Sequence, residues 1–119
     1  MNKNKYSSGF ENEFYHTSEW IKIRNYYFQI NPLCELCNQY NIVTPAKVVD
    51  HILPRRICKQ HELNIDNFQS LCQKCHNQKT MIEIKVNDLD TFIIELDEGK
   101  LQHITRPEKK LVLLKLLKK

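Results

Sequence analysis

Two CxxC knuckles, Cys34 with Cys37 and Cys72 with Cys75, stand 34 residues apart and constrain this chain more than any other feature of it. Tetrahedral zinc takes four thiolate or imidazole ligands, and each CxxC bend presents two sulfurs from one tight turn. Two such bends clamp two distant stretches together, so the chain between them must fold back on itself. That intervening chain contains Asp50, His51 and Asn67, and His76 directly follows the last cysteine. A closed metal site therefore shares one short segment with residue types that serve catalysis. The fifth cysteine, Cys58, belongs to neither knuckle and is expected to be a free, partly buried thiol, since four sulfurs already complete a tetrahedron.

At 119 residues the chain is long enough for one domain with a modest core, which a metal staple would reinforce. It holds no apolar run near the roughly 20 residues of a membrane span. Residues 1–10 lack the apolar region of a signal peptide. A cytoplasmic location is expected, and there paired cysteines hold metal more often than they form disulfides.

The net charge of +4 is unevenly spread: ten basic and seven acidic residues in 1–80, two and six in 81–105, six and one in 106–119. A polyanionic partner suits the first block, where Arg55, Arg56, Lys59, Lys74 and Lys79 fall near the candidate site. Charges of this kind otherwise form a solvated face.

Residues 1–12 are polar, and a flexible segment is expected over 1–16. Thr17 or Ser18 caps a predicted helix running to about residue 29, with Trp20, Ile23, Tyr27 and Ile30 as its apolar stripe, and Asn31-Pro32 stops it. The β-branched run 46–52 reads as a strand, 54–66 as irregular, 67–70 as a second strand, and a helix begins near residue 71. Strand, loop, strand, helix is a ββα unit. Beyond residue 81, the stretches 91–96 and 100–104 flank Asp97-Glu98-Gly99 and read as a hairpin. Pro107 then opens an amphipathic helix with Leu111, Leu114 and Leu117 on one side. The expected fold is α+β: an N-terminal helix, a ββα core stapled by a four-cysteine zinc site over 17–80, and a C-terminal hairpin and helix appendage over 81–119.

Side chains alternate along a strand, so Asp50 and His51 cannot aim at one ion together and must divide the work. A hard divalent cation on one carboxylate and one imidazole keeps open positions for water and phosphate oxygens. A neutral imidazole is a competent general base near neutral pH when its tautomer is fixed. The Asn67 amide can supply that orientation through the backbone or ring of His51.

The stretches CELC, VVDHILP and DNFQSLCQKCHNQKT together resemble the zinc-knuckle HNH endonucleases of phages and bacteria. The likeness spans about residues 20–80, and the three letters of the motif fall on His51, Asn67 and His76. It implies a ββα-metal (His-Me finger) core. Asp50 and His76 would bind one catalytic divalent ion, Mg²⁺, Mn²⁺ or another, while His51 activates water. Asn67 would support the loop and that base, and Cys34, Cys37, Cys72 and Cys75 would hold structural Zn²⁺. The implied activity is one-metal hydrolysis of DNA phosphodiesters, leaving 5′-phosphate and 3′-hydroxyl ends. Lys79, one turn after His76, is expected at a phosphate, with Arg55 and Arg56 as further substrate contacts. His61 and Glu62 are minor candidates for the metal.

The contrasting expectation is a non-catalytic zinc ribbon that binds nucleic acid or protein. Double-strand cleavage would require a homodimer, a second event, or a phage or restriction partner, and the tail 111–117 is the candidate contact.

Overall fold

Thr17 begins the first long helix, α1 (Ser18–Ile30), by accepting a hydrogen bond from the Trp20 amide on its Oγ1, satisfying one of the donors a helix start leaves unpaired. The structure, a computed structural model, describes residues 13–118. The flexibility expected of 1–16 therefore falls, for 1–12, outside the described residues. Residues 13–15 form a helical turn whose Phe14 packs with Trp20.

Asn31 caps the end of α1, and the chain enters the first knuckle, a single-turn helix α2 (Glu35–Asn38). The Cys34 amide donates to the Thr44 carbonyl at 2.7 Å, and Leu33 bridges to Pro45, so the loop 39–45 doubles back beside its own start. Strand β1 (Val48–His51) then pairs antiparallel with β2 (Phe68–Leu71), matching Asp50 to Gln69 and His51 to Phe68. A 3-10 turn, Ile65–Asn67, delivers the chain into β2. Cys72 is the N-cap of α3 (Gln73–Glu83). The ββα order expected from the sequence is the order observed.

The region after residue 81 corrects the expected hairpin. Leu89–Asp97 is a helix, α4, capped by Asp88, whose carboxylate accepts from the Thr91 amide at 2.8 Å. Thr91, Ile93 and Ile94 made a strand the local preference, but that preference is worth only a few tenths of a kcal/mol per residue. Phe92 and Leu96, four residues apart, are both fully buried, each contributing about 1.5–3 kcal/mol. Burial outweighs propensity, and Gly99, with φ +78°, terminates the helix instead of turning a hairpin.

Helix α5 (Pro107–Leu117) follows, with Pro107 in its first turn as expected. Its inward residues are Leu113 and Leu114, whereas Leu111 is exposed, so the expected stripe is rotated. One core cluster joins Phe92, Leu96, Ile104, Leu113 and Leu114 to Ile52 and Leu53, the two residues directly after His51. The C-terminal helices thus support the floor of the ββα unit. A second cluster, Phe14, Trp20, Tyr27, Val49 and Phe68, seats α1 on the sheet.

Buried Glu35 ties these layers together. Its carboxylate accepts from the Tyr27 hydroxyl at 2.5 Å, the Ser70 amide at 2.8 Å and Arg106 at 3.1 Å. Burying a carboxylate is tolerated when its lone pairs are filled in this way. Burial and the Glu35 charge together push the Tyr27 phenol well above its usual range.

Candidate active site

The four knuckle sulfurs converge. Cys37 Sγ lies 3.9 Å from Cys72 Sγ and 3.7 Å from Cys75 Sγ, and all four ligand atoms fall within 4.8 Å of one another. A zinc tetrahedron with Zn–S bonds of about 2.3 Å has S···S edges of about 3.8 Å, whereas a disulfide needs about 2.05 Å. The donor set therefore fits a thiolate-bound zinc and not a bridge. Burial opposes ionisation of Cys72, but hydrogen bonds from the Cys75 amide and the neighbouring thiols prevail and hold its thiol at about 7. Cys58 is partly buried, unbridged and outside this cluster, as expected.

Because Cys72 caps α3 and Cys75 sits in its first turn, the knuckle fixes the start of the helix that carries His76. His76 Nε2 faces Asp50 Oδ1 of β1 at 3.5 Å. Two adjacent ligands on an ion with bonds of about 2.1 Å stand about 3 Å apart, so this carboxylate and imidazole fit a shared divalent ion. The hydrogen bond to Asp50 raises the His76 imidazole, against some loss from burial. Burial would raise Asp50, yet the Lys79 ammonium and then His76 outweigh it and hold the carboxyl below its usual range. Asp50 is thus an anion at neutral pH. His76 Nδ1 is shielded without a hydrogen-bond partner, so the ring's orientation rests on Asp50 and on its helix turn.

His51, the next residue along β1, projects to the other face. Its Nε2–H donates to the Glu62 carbonyl at 2.9 Å, which leaves Nδ1 as the lone-pair nitrogen. The ring lies 4.9 Å from Trp20, nearly parallel at 27°, with Phe68 edge-on at 5.4 Å. At 5% exposed it is more enclosed than a water-activating base was expected to be, but it lines both grooves that meet at the site. Desolvation in this aromatic box lowers its basicity, only partly offset by the Glu62 carbonyl, so the imidazole is neutral at pH 7.

Asn67 is 1% exposed and acts on the loop. Its Oδ1 accepts from the Leu53 amide at 2.7 Å, and its Nδ2 donates to the Leu53 and His61 carbonyls at 3.2 and 3.3 Å. The expected bond to His51 itself is not made. Asn67 instead closes the loop 53–66 at the residue beside Glu62, whose carbonyl holds the base.

One expected substrate contact, Lys79, is turned inward. Lys79 is 1% exposed; its ammonium pairs with Asp50 Oδ2 at 2.9 Å, with Glu83, and with the His51 carbonyl at 2.9 Å. The spacing of His76, Lys79 and Glu83 puts all three on one helix face, and that face is turned inward. Arg55 is also buried, paired with Glu62 at 2.9 Å and lying 3.9 Å over the Phe14 ring. Lys79 lines neither groove at the site, whereas Arg55 lines the smaller one beside His51 and His76. Arg56 is exposed and lines a groove beside His76, donating to the Glu83 carbonyl at 2.6 Å. His61 and Glu62 join no cluster of three ligands among the described residues.

Trp20, Glu83 and the Glu62 carbonyl were not singled out from the sequence. Trp20 carried a signal, being the first residue of the α1 stripe, but that stripe read as ordinary core. A main-chain carbonyl leaves no trace in a sequence.

The family described as HNH endonuclease matches residues 32–81. A probable HNH endonuclease of Lactococcus phage SK1 is 33% identical over 75 residues, 59% of this chain and 78% of that protein. Among solved structures, the HNH endonuclease of the deep-sea thermophilic bacteriophage GVE2, crystallised with manganese ion, is similar with a TM-score of 0.60 and 37% identity. That match covers 71% of this chain and 97% of the other.

Proposed function

Because the chain belongs to the HNH endonuclease family and is a metal-dependent nuclease, we propose that it hydrolyses DNA phosphodiester bonds with His51 as general base. The observation that carries this reading is the pairing of Asp50 with His76 beside an imidazole whose Nε2 is held by a backbone carbonyl. Asp50 and His76 would hold a divalent ion, Mg²⁺ or Mn²⁺, whose chemistry is to stabilise charge on the phosphate and on the departing 3′ oxygen. Cys34, Cys37, Cys72 and Cys75 would hold structural zinc.

His51 Nδ1 accepts a proton from water as the water oxygen bonds to phosphorus and the bond from phosphorus to the 3′ oxygen breaks. The 5′ side keeps the phosphate, and the 3′ oxygen takes its proton from solvent. The Glu62 carbonyl keeps Nε2 protonated, so the basic lone pair stays on Nδ1. Adjacent Asp50 favours the imidazolium that forms. Lys79 acts one step back, taking one oxygen of Asp50 so that the other faces His76. Asn67 acts through the loop that presents the Glu62 carbonyl.

Incubating supercoiled plasmid with purified protein and Mg²⁺ or Mn²⁺ tests this. Wild type should nick, and DNA ligase should reseal the nicks, which requires 5′-phosphate and 3′-hydroxyl ends. His51→Ala should slow nicking by about 10²–10⁴-fold. Equal nicking by both would remove His51 from the reaction.

A further inference from the structure

Two grooves converge on the site, one of about 520 Å³ and one of about 220 Å³, and both are lined by Asp50, His51 and His76. The larger runs between α1 and β1 and has Arg24 and Lys47 in its walls; the smaller has Arg56. Together they make one open track with the candidate chemistry at its middle. Arg24 lies one helical turn beyond Trp20, the residue stacked on His51. Lys47 lies on the same side of the extended chain as Val49 and His51. The two basic side chains thus stand on opposite walls, with Lys47 four residues from His51, or roughly 13 Å at ~3.3 Å per residue.

Their charge is available. Lys79, Arg55 and Arg106 are all paired with carboxylates, whereas among the described residues Arg24, Lys47 and Arg56 form no salt bridge. Arg24 donates to the neutral Asn25 amide oxygen at 2.7 Å. Lys47 is exposed.

We propose that Arg24 and Lys47 form the phosphate clamp that guides the cut DNA strand, gripping its backbone a few nucleotides from the scissile bond while Arg56 meets it on the far side. The inference rests on the nuclease reading and assigns the strand's path across that site. Set back from the reacting phosphate along the groove, these groups are positioning residues. Phosphate contacts of this kind set register without reading bases.

The test compares Arg24→Gln/Lys47→Gln with wild type and with Lys100→Gln/Lys118→Gln, which removes two charges outside both grooves. Binding of a short fluorescent duplex is followed by anisotropy over a range of salt, without added Mg²⁺ or Mn²⁺, and KM and kcat are measured for nicking. The groove variant should bind roughly tenfold more weakly and lose about two from the slope of log affinity against log salt, roughly one per phosphate contact. Its KM should rise by more than its kcat falls, and the control should bind as wild type does. A groove variant with the wild-type slope, or a control that weakens equally, overturns the clamp. Should wild type bind but not nick, the nuclease reading falls and the salt slopes still decide the clamp.

Discussion

His51 shows how one side chain receives its chemistry from its surroundings. Its enclosure by Trp20, Phe68 and Phe14 lowers its proton affinity from the ordinary value of 6.5. A divalent cation nearby would push it in the same direction. The base works when neutral, so the rate at saturating metal should stay on its plateau below pH 6.5 and fall only as pH drops through the depressed value. A pH–rate profile with its acid limb above 6.5 would contradict this. Lys79 is the complementary case. Lys79→Met would strand Asp50 and Glu83 without their cation, and breaking a buried pair in this way costs about 3–5 kcal/mol. An unchanged urea midpoint would show that the ammonium does not hold the site together. Asp50, His51, Asn67 and His76 were readable directly as a candidate set from their residue types. The inward turn of Lys79 was not, because a spacing of three on a helix gives a shared face without saying which way that face looks.

Among the elements, α1, the ββ pair and α3 were legible because each carries its own punctuation: Thr17 as cap, Asn31-Pro32 as stop, prolines around β1 and a cysteine at the start of α3. Helix α4 was misread because β-branched Thr91, Ile93 and Ile94 spoke for a strand, while the opposing signal, Asp88 followed by Leu89, Phe92 and Leu96 at helical spacing, depends on a core that only the folded chain supplies. Ile94→Pro tests the helix. Ile94 is exposed, so the substitution disturbs little packing, yet a proline inside a helix costs about 3 kcal/mol or more. A melting temperature that does not fall would be incompatible with α4. The loop 53–66 is tested by Asn67→Ala, which leaves the buried Leu53 amide unpaired at about 1–3 kcal/mol. Faster hydrogen exchange at Leu53 and slower cleavage should appear together, and a change in one without the other would uncouple the loop from the base.

At the scale of the whole molecule, the four-cysteine cluster and the C-terminal helices both brace the ββα unit. Stripping metal with a strong chelator, or replacing Cys34 with Ser, should unfold the chain, since thiolate zinc in small sites contributes about 10–16 kcal/mol that is inseparable from folding. A Cys34→Ser protein that melts like wild type would deny zinc a structural part. The sequence suggested that residues 81–119 were an addition to a finished nuclease. The core they share with Ile52 and Leu53, and the bonds from Arg106 to Glu35 and from Lys109 to the Phe68 carbonyl, make removal of 105–119 a loss of cooperative folding. Circular dichroism of the truncated chain checks this.

The contact between His51 and the Glu62 carbonyl belongs to the main chain, and it therefore has a genetic silence. Any amino acid at position 62 supplies the same oxygen, so evolution can rewrite that side chain, and its bond to Arg55, while the tautomer of the base is preserved. A saturation-mutagenesis survey of the gene would rate position 62 by its carboxylate and overlook its tethering of the imidazole. Backbone ester substitution at that peptide, which weakens the carbonyl as an acceptor without altering any side chain, would bring the tether into view.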